Sequence, residues 1–211
     1  NPGAVSEVGI NQNRMAWSGE PLEDETDKTG DVFILSWSTV IENYVGSKGS
    51  DDVTLNTSII NTITTGDGDD VVRDVLTTDI VDTGAGADTI YLSYTTLDPA
   101  TDVSIDGGSE ADAFDLVIYD LQPDIEVDFT QSRTTFVNFE GHNFTDNEKQ
   151  TIILDNEDFV TINSQTLTIQ GDGNDEISLP EDAVQTSSDD LYFYYSLNDV
   201  EIAISVDLLL I

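Results

Sequence analysis

The phrase Gly-x-Gly-x-Asp-x-(apolar) stands three times in the chain, as Gly66-Asp67-Gly68-Asp69-Asp70-Val71-Val72, Gly84-Ala85-Gly86-Ala87-Asp88-Thr89-Ile90 and Gly171-Asp172-Gly173-Asn174-Asp175-Glu176-Ile177. Each copy sets two conformationally free backbone positions and a carboxylate just ahead of a β-prone run, the local requirements of a calcium-binding turn. Calcium takes six to eight oxygens at about 2.3–2.6 Å, more than one short turn can supply. Two turns stacked at the roughly 4.8 Å spacing of neighbouring strands can share one ion between their carbonyls and carboxylates.

Two further turns carry the phrase in worn form. Gly46-Ser47-Lys48-Gly49-Ser50-Asp51 has serine at the second glycine position, and Gly107-Gly108-Ser109-Glu110-Ala111-Asp112 has Glu110 at the third. With the aspartate as register mark, Asp51, Asp70, Asp88, Asp112 and Asp175 follow one another at steps of 19, 18, 24 and 63 residues. The residue two places after each is apolar, namely Val53, Val72, Ile90, Phe114 and Ile177, which predicts one buried side chain per turn. Ile63, Val81 and Ile105 keep a second fixed place, three residues before a glycine. The candidate residues of these turns are Gly49 and Asp51, then Gly66, Gly68 and Asp70, then Gly84, Gly86 and Asp88, then Gly108 and Asp112, and finally Gly171, Gly173 and Asp175. Asp79, nine residues past Asp70, keeps an acid without glycines. It reads as a worn opposite turn at which no ion is expected.

The elements that must hold such turns are short strands. From Asp31 onward, runs rich in Val, Ile, Thr, Phe and Tyr alternate with Gly and Asp clusters, and no amphipathic helical stretch exceeds two turns. Residues 1–30 read as an irregular leading segment, 31–118 as repeat coils, 119–165 as degenerate coils or an insert where the period is lost, and 166–211 as a last motif with a C-terminal cap. One domain is expected from the 211 residues. The fold expected is all-β, a right-handed parallel β-roll or β-helix, with an antiparallel sandwich carrying calcium in its loops as the alternative.

With 43 acidic residues against 6 basic ones the formal charge is −37, so a compact state repels itself unless cations neutralise it. That balance excludes a phosphate-binding basic patch for nucleic acid and disfavours anionic membranes. A hydrophobic content of 38% argues for a folded protein and against an acidic disordered tail. No cysteine is present, so neither a disulfide nor a thiolate ligand is available. No window approaches the roughly 18 apolar residues of a membrane span. The start at Asn1-Pro2-Gly3 has no export leader, which points to a fragment or to a signal elsewhere.

These motifs resemble the calcium-binding nonapeptide repeats of the RTX, or haemolysin-type, family, whose consensus is Gly-Gly-x-Gly-x-Asp-x-(apolar)-x. The first glycine of that consensus is Thr65, Thr83 and Gln170 in the three best copies, while the later glycines and the aspartate match. The spacing near 18 implies metal along one edge only. The resemblance implies a parallel β-roll with ions between stacked turns, an extracellular bacterial protein exported by a type I system, and folding switched on by calcium outside the cell. It implies in turn either a binding or structural module of a large surface adhesin touching a glycan or peptide, or an accessory domain of a secreted exoenzyme or toxin. The domain is expected to be monomeric.

Other constellations say less. His142 is the only histidine, is expected at a surface or turn, and cannot build a zinc site alone. No GxSxG, HExxH, phosphate loop or dinucleotide fingerprint appears, so no catalytic constellation is identified. In Leu191-Tyr192-Phe193-Tyr194-Tyr195-Ser196-Leu197 the tyrosines at 192 and 194 share one face of an extended strand. Together with Val206, Leu208, Leu209, Leu210 and Ile211 this segment is expected to cap the stack, or to present a platform for a sugar or peptide. The Thr-rich run Asn61-Thr62-Ile63-Thr64-Thr65 does not extend into the flat threonine ladder an ice-binding surface needs.

Overall fold

The computed structural model describes residues 32–33, 43–55, 57, 59–94, 103–108, 114–121, 124–129, 134–145, 148–154, 166–197 and 200–211. Their regular elements are strands alone: β1 (Val32–Phe33), β2 (Asn43–Val45), β3 (Asp52–Thr54), β4 (Thr62–Asp67), β5 (Val71–Val75), β6 (Ile80–Ala85), β7 (Thr89–Tyr94), β8 (Val103–Asp106), β9 (Leu116–Leu121), β10 (Ile125–Asp128), β11 (Thr134–Val137), β12 (Gly141–Asn143), β13 (Gln150–Ile153), β14 (Thr166–Gln170), β15 (Glu176–Ser178), β16 (Val184–Ser188), β17 (Tyr192–Leu197), β18 (Val200–Ser205) and β19 (Leu209–Leu210). The leading segment 1–30 lies outside the described residues.

Three sheets form. A ten-stranded sheet runs β1-β3-β5-β7-β9-β12-β14-β18-β17-β16, a five-stranded sheet β11-β8-β6-β4-β2, and a four-stranded sheet β10-β13-β15-β19. From β2 to β9 successive strands alternate between the five-stranded and ten-stranded sheets, so neighbours within a sheet are parallel. The protein is all-β with parallel sheets, and among the described residues no antiparallel sandwich forms. Among the described residues only β16–β17 and β17–β18 pair antiparallel.

The period of two residues decides what each strand buries. In β4 the odd-numbered Ile63 and Thr65 point inward while Thr62 and Thr64 face out. Val53, Val72, Ile90 and Val117 stand in register across β3, β5, β7 and β9, all buried. Tyr44, Ile63, Val81, Ile105 and Phe136 form the matching inner row across β2, β4, β6, β8 and β11. Both rows belong to one continuous apolar core.

Where the motif is lost between 119 and 165, β11 joins the five-stranded sheet and β12 the ten-stranded one, while β10 and β13 begin the four-stranded sheet. Here the core turns aromatic: Tyr119 stacks on Phe144 with ring centroids 4.0 Å apart, and Phe129 and Phe136 pack edge-on against His142. His142 is thus a core residue and not the surface or turn histidine expected. At the C-terminal end Tyr195, Leu197 and Leu208 are buried, and Phe193 packs partly against the core. Val206, Leu209, Leu210 and Ile211 stay exposed, Leu209 and Leu210 as the edge strand β19 beside β15.

Candidate functional site

The motif turns of the first coils stack. Gly66, Gly68, Gly84, Gly86 and Gly108 all adopt positive φ. At Gly84 (φ +91°) a Cβ would collide with the carbonyl oxygen of Gly66, and one at Gly66 would collide with that of Ser47. Glycine is required there because the turn backbones touch, as well as for its φ. Gly49 takes part through its backbone, which lies against Gly68.

Behind these turns the aspartates form a column. The amide N–H of Asp51 donates to Asp70 Oδ1 (2.7 Å), that of Asp70 to Asp88 Oδ1 (2.7 Å), and that of Asp88 to Asp115 Oδ1 (2.8 Å). The Asp115 amide then donates to Glu140 Oε2 (2.9 Å). Asp70, Asp88, Asp115 and Glu140 thus each cap the residue that leads into a neighbouring strand, and all four are buried, as is Asp51. Asp51 also accepts from its own turn, through the Ser47 amide and hydroxyl.

The fourth rung differs from the expected one. Asp112 lies outside the described residues, and the place it was expected to fill is held by Asp115, three residues on. Gly108 does stack on Gly84, but the turn after it is longer, so Val117 goes inside and Phe114 is left half exposed on the outer surface. Both Asp112-x-Phe114 and Asp115-x-Val117 satisfy the Asp-x-apolar pattern, and spacing from the glycines favoured the wrong one. Glu140, before β12, carries no motif signal beyond an acid one residue ahead of a short strand.

The last motif is not part of this column. Asp175 opens β15 of the four-stranded sheet, where its Oδ1 accepts the Gln150 amide and its Oδ2 the Asp172 amide. Neither Gly171 nor Gly173 has positive φ, a Cβ at Gly171 would meet the Leu208 side chain, and nothing lies within 4 Å of one at Gly173. Among the described residues no glycine turn stacks against this one. A third pairing serves the five-stranded sheet: Asp79 Oδ1 accepts the Asn61 amide and side-chain Nδ2, and its Oδ2 the Leu76 amide. Asp79 is a turn-holding carboxylate, spent on hydrogen bonds.

Thr65 and Thr83, which read as losses of the consensus first glycine, are fully buried inside the stacked turns. Thr65 Oγ1 donates to the Thr83 carbonyl (2.7 Å) and Thr83 Oγ1 to that of Gly107 (3.0 Å), forming a second column beside the carboxylates. Oδ2 of Asp70 and Oδ2 of Asp88 are buried without a well-aligned hydrogen bond, because the Thr65 and Thr83 hydroxyls beside them are directed at the carbonyls. Burial pushes Asp70 up to about 6, opposed by the nearby Thr65 hydroxyl and the Asp51 amide. It pushes Asp88 up to about 7, opposed by the Asp70 amide and the Thr83 hydroxyl. A buried carboxylate oxygen with no donor needs a counter-charge or a proton.

The donor set can be tested against calcium. Among the described residues no three His, Cys, Asp or Glu side chains converge on one point. A site assembled from side chains alone, of the kind zinc uses, is therefore not formed there. What the stacked turns do offer is oxygen: the orphaned Asp70 and Asp88 Oδ2 atoms and the carbonyls of Ser47, Gly66 and Gly84, each lying against the next turn. An all-oxygen set rich in carbonyls suits a hard divalent cation. No family model, no curated protein and no solved structure matches the chain.

Proposed function

We propose that this chain is a calcium-stabilised parallel β-roll, of the RTX type, that serves an extracellular bacterial protein as a structural and binding module. The reading rests on one observation above others: two buried aspartate oxygens, at Asp70 and Asp88, have no hydrogen-bond partner beneath glycine turns packed backbone to backbone. In this reading Gly66, Gly68, Asp70, Gly84, Gly86 and Asp88 hold the ions, with Asp51 and Gly49 at one end of the row and Asp115 and Gly108 at the other. Calcium neutralises a column of carboxylates that a −37 protein has few cations to match.

Calcium in the millimolar range would then drive folding by mass action, since an ion that binds only the folded stack stabilises it. Such a module belongs outside the cell, in a secreted surface protein of the adhesin kind reached by type I export. Calorimetric titration with calcium and with EDTA, alongside circular dichroism, tests the reading. Saturable binding with a rise in melting temperature is expected, and an unchanged melt in chelator would sink it.

A further inference from the structure

On the outward face of the ten-stranded sheet, two rows lying between the charged residues Asp52, Arg73 and Glu201 break the charge pattern of the molecule. One row on this face runs in register Thr89, Leu116, Gly141, Thr168, Ala203, Tyr194 across β7, β9, β12, β14, β18 and β17, with the small residues Gly141 and Ala203 covered and the others part-exposed. The next runs Tyr91, Ile118, Asn143, Gln170, and the Gln170 amide continues it by donating to Tyr192 Oη (3.0 Å). Neither row contains a charged residue. The other two sheets behave differently: Asp82 and Asp106 stand side by side on the five-stranded sheet, and Glu126 and Glu176 flank Thr151 on the four-stranded one.

The strip also carries apolar relief. Phe114, 49% exposed, lies over Gly141, where a Cβ would come within 2.8 Å of its ring and 2.8 Å of Leu116. Tyr91 is fixed at one end under the Arg73 guanidinium, 4.6 Å from its ring centre, and Arg73 is itself paired with Asp52. At the other end Tyr194 donates to Asp189 Oδ2 (2.8 Å), and its ring centroid is 6.3 Å from that of Tyr192. Aromatic rings fixed at both ends of an amide- and hydroxyl-bearing strip suit a ligand with apolar faces and hydroxyl edges.

We propose that this strip binds an uncharged, extended β-linked polysaccharide lying across the strands from β7 to β17. The charge of the ligand follows from complementarity: an anionic polymer would meet the field of a −37 molecule, whereas the two rows carry no carboxylate and those beside them, Asp52, Asp189 and Glu201, are engaged by Arg73, Tyr194 and Thr166. A straight row of in-register strands, about 24 Å over five strand spacings, matches a flat extended chain and not a coiled one. A second copy is disfavoured because face-to-face pairing would bring two such fields together. The inference rests on the binding-module reading above and adds the site and the ligand class.

Affinity electrophoresis in hydroxyethylcellulose, with alginate as anionic control, tests it on the whole chain in calcium and in EDTA, each sample checked by circular dichroism. Retardation by hydroxyethylcellulose alone is expected, with Phe114→Ala, Tyr192→Ala and Thr168→Glu each weakening it by about tenfold. Ile80→Ala on the five-stranded sheet should change nothing. A folded protein that is not retarded, or variants retarded like the wild type, would overturn the proposal and leave the calcium reading standing. Equal retardation with and without calcium, at an unchanged melting temperature, would uphold the strip and sink the calcium reading instead. Dimerisation in light scattering that the same three substitutions abolish would make the strip a self-interface and overturn the polysaccharide.

Discussion

At Asp88 a carboxylate is fully buried with one oxygen accepting the Asp70 amide and the other accepting nothing. Asparagine at 88 keeps the first acceptor and removes the charge, so Asp88→Asn should fold as well as wild type in chelator yet bind calcium about tenfold or more weakly by calorimetry. The raised positions of Asp70 and Asp88 fix the pH response of the metal-free protein. Between the ordinary carboxylate range and about 7 the folded state holds more protons than the unfolded one, so stability falls as pH rises through that window. Melting curves in EDTA should show this slope, and calcium should flatten it by keeping both groups charged. His142 works in the opposite direction: burial pushes it down to about 3, so the stability its neutral form contributes is present above about 6.5 and lost as pH falls below that. His142→Phe should remove this acid-side slope, whatever it does to stability at pH 8. The burial of this histidine could not be read from its neighbours, because Phe139-Glu140-Gly141-His142 carries no glycine-aspartate phrase and the alternation over β12 spans only three residues.

At the scale of turns and strands the account separates two glycines that look alike in sequence. Gly84→Ala forces a side chain into left-handed backbone and into the Gly66 carbonyl, and should cost about 2 kcal/mol or more in denaturant unfolding. Gly173→Ala, at the motif position of Gly68 and Gly86, meets open space and should stay within about 0.5 kcal/mol of wild type. The strand texture, the alternation and the inner rows at Val53, Val72 and Ile90 and at Ile63, Val81 and Ile105 were legible because a two-residue period reports directly on burial. The fourth rung was not, since an apolar residue follows two places after both Asp112 and Asp115, and only packing chooses between Phe114 and Val117. Assignment of Asp175 to another sheet was equally hidden. A local phrase states how a turn is built and says nothing of which turn it lies against.

The whole molecule must hold 43 acidic residues with 6 basic ones. The ion pairs formed by Arg73 with Asp52 and by Lys149 with Glu176 are part-exposed, and such pairs contribute little. The larger effect comes from how the carboxylates are deployed: Asp70, Asp88, Asp115 and Glu140 are turned inward as caps for neighbouring turns, and the first two have an oxygen left over for a cation. Screening by 0.5 M NaCl in EDTA should therefore raise the melting temperature only modestly, because salt weakens surface repulsion but hardly reaches a buried column. The decisive measurement is the thermal melt followed by circular dichroism in 5 mM CaCl2 and in EDTA at about pH 7.5, for wild type and for the Asp70→Asn, Asp88→Asn double variant. The account predicts a large calcium-dependent rise in wild type that the double variant loses. A wild-type melt identical in calcium and chelator, or a rise that the double variant keeps in full, would contradict it.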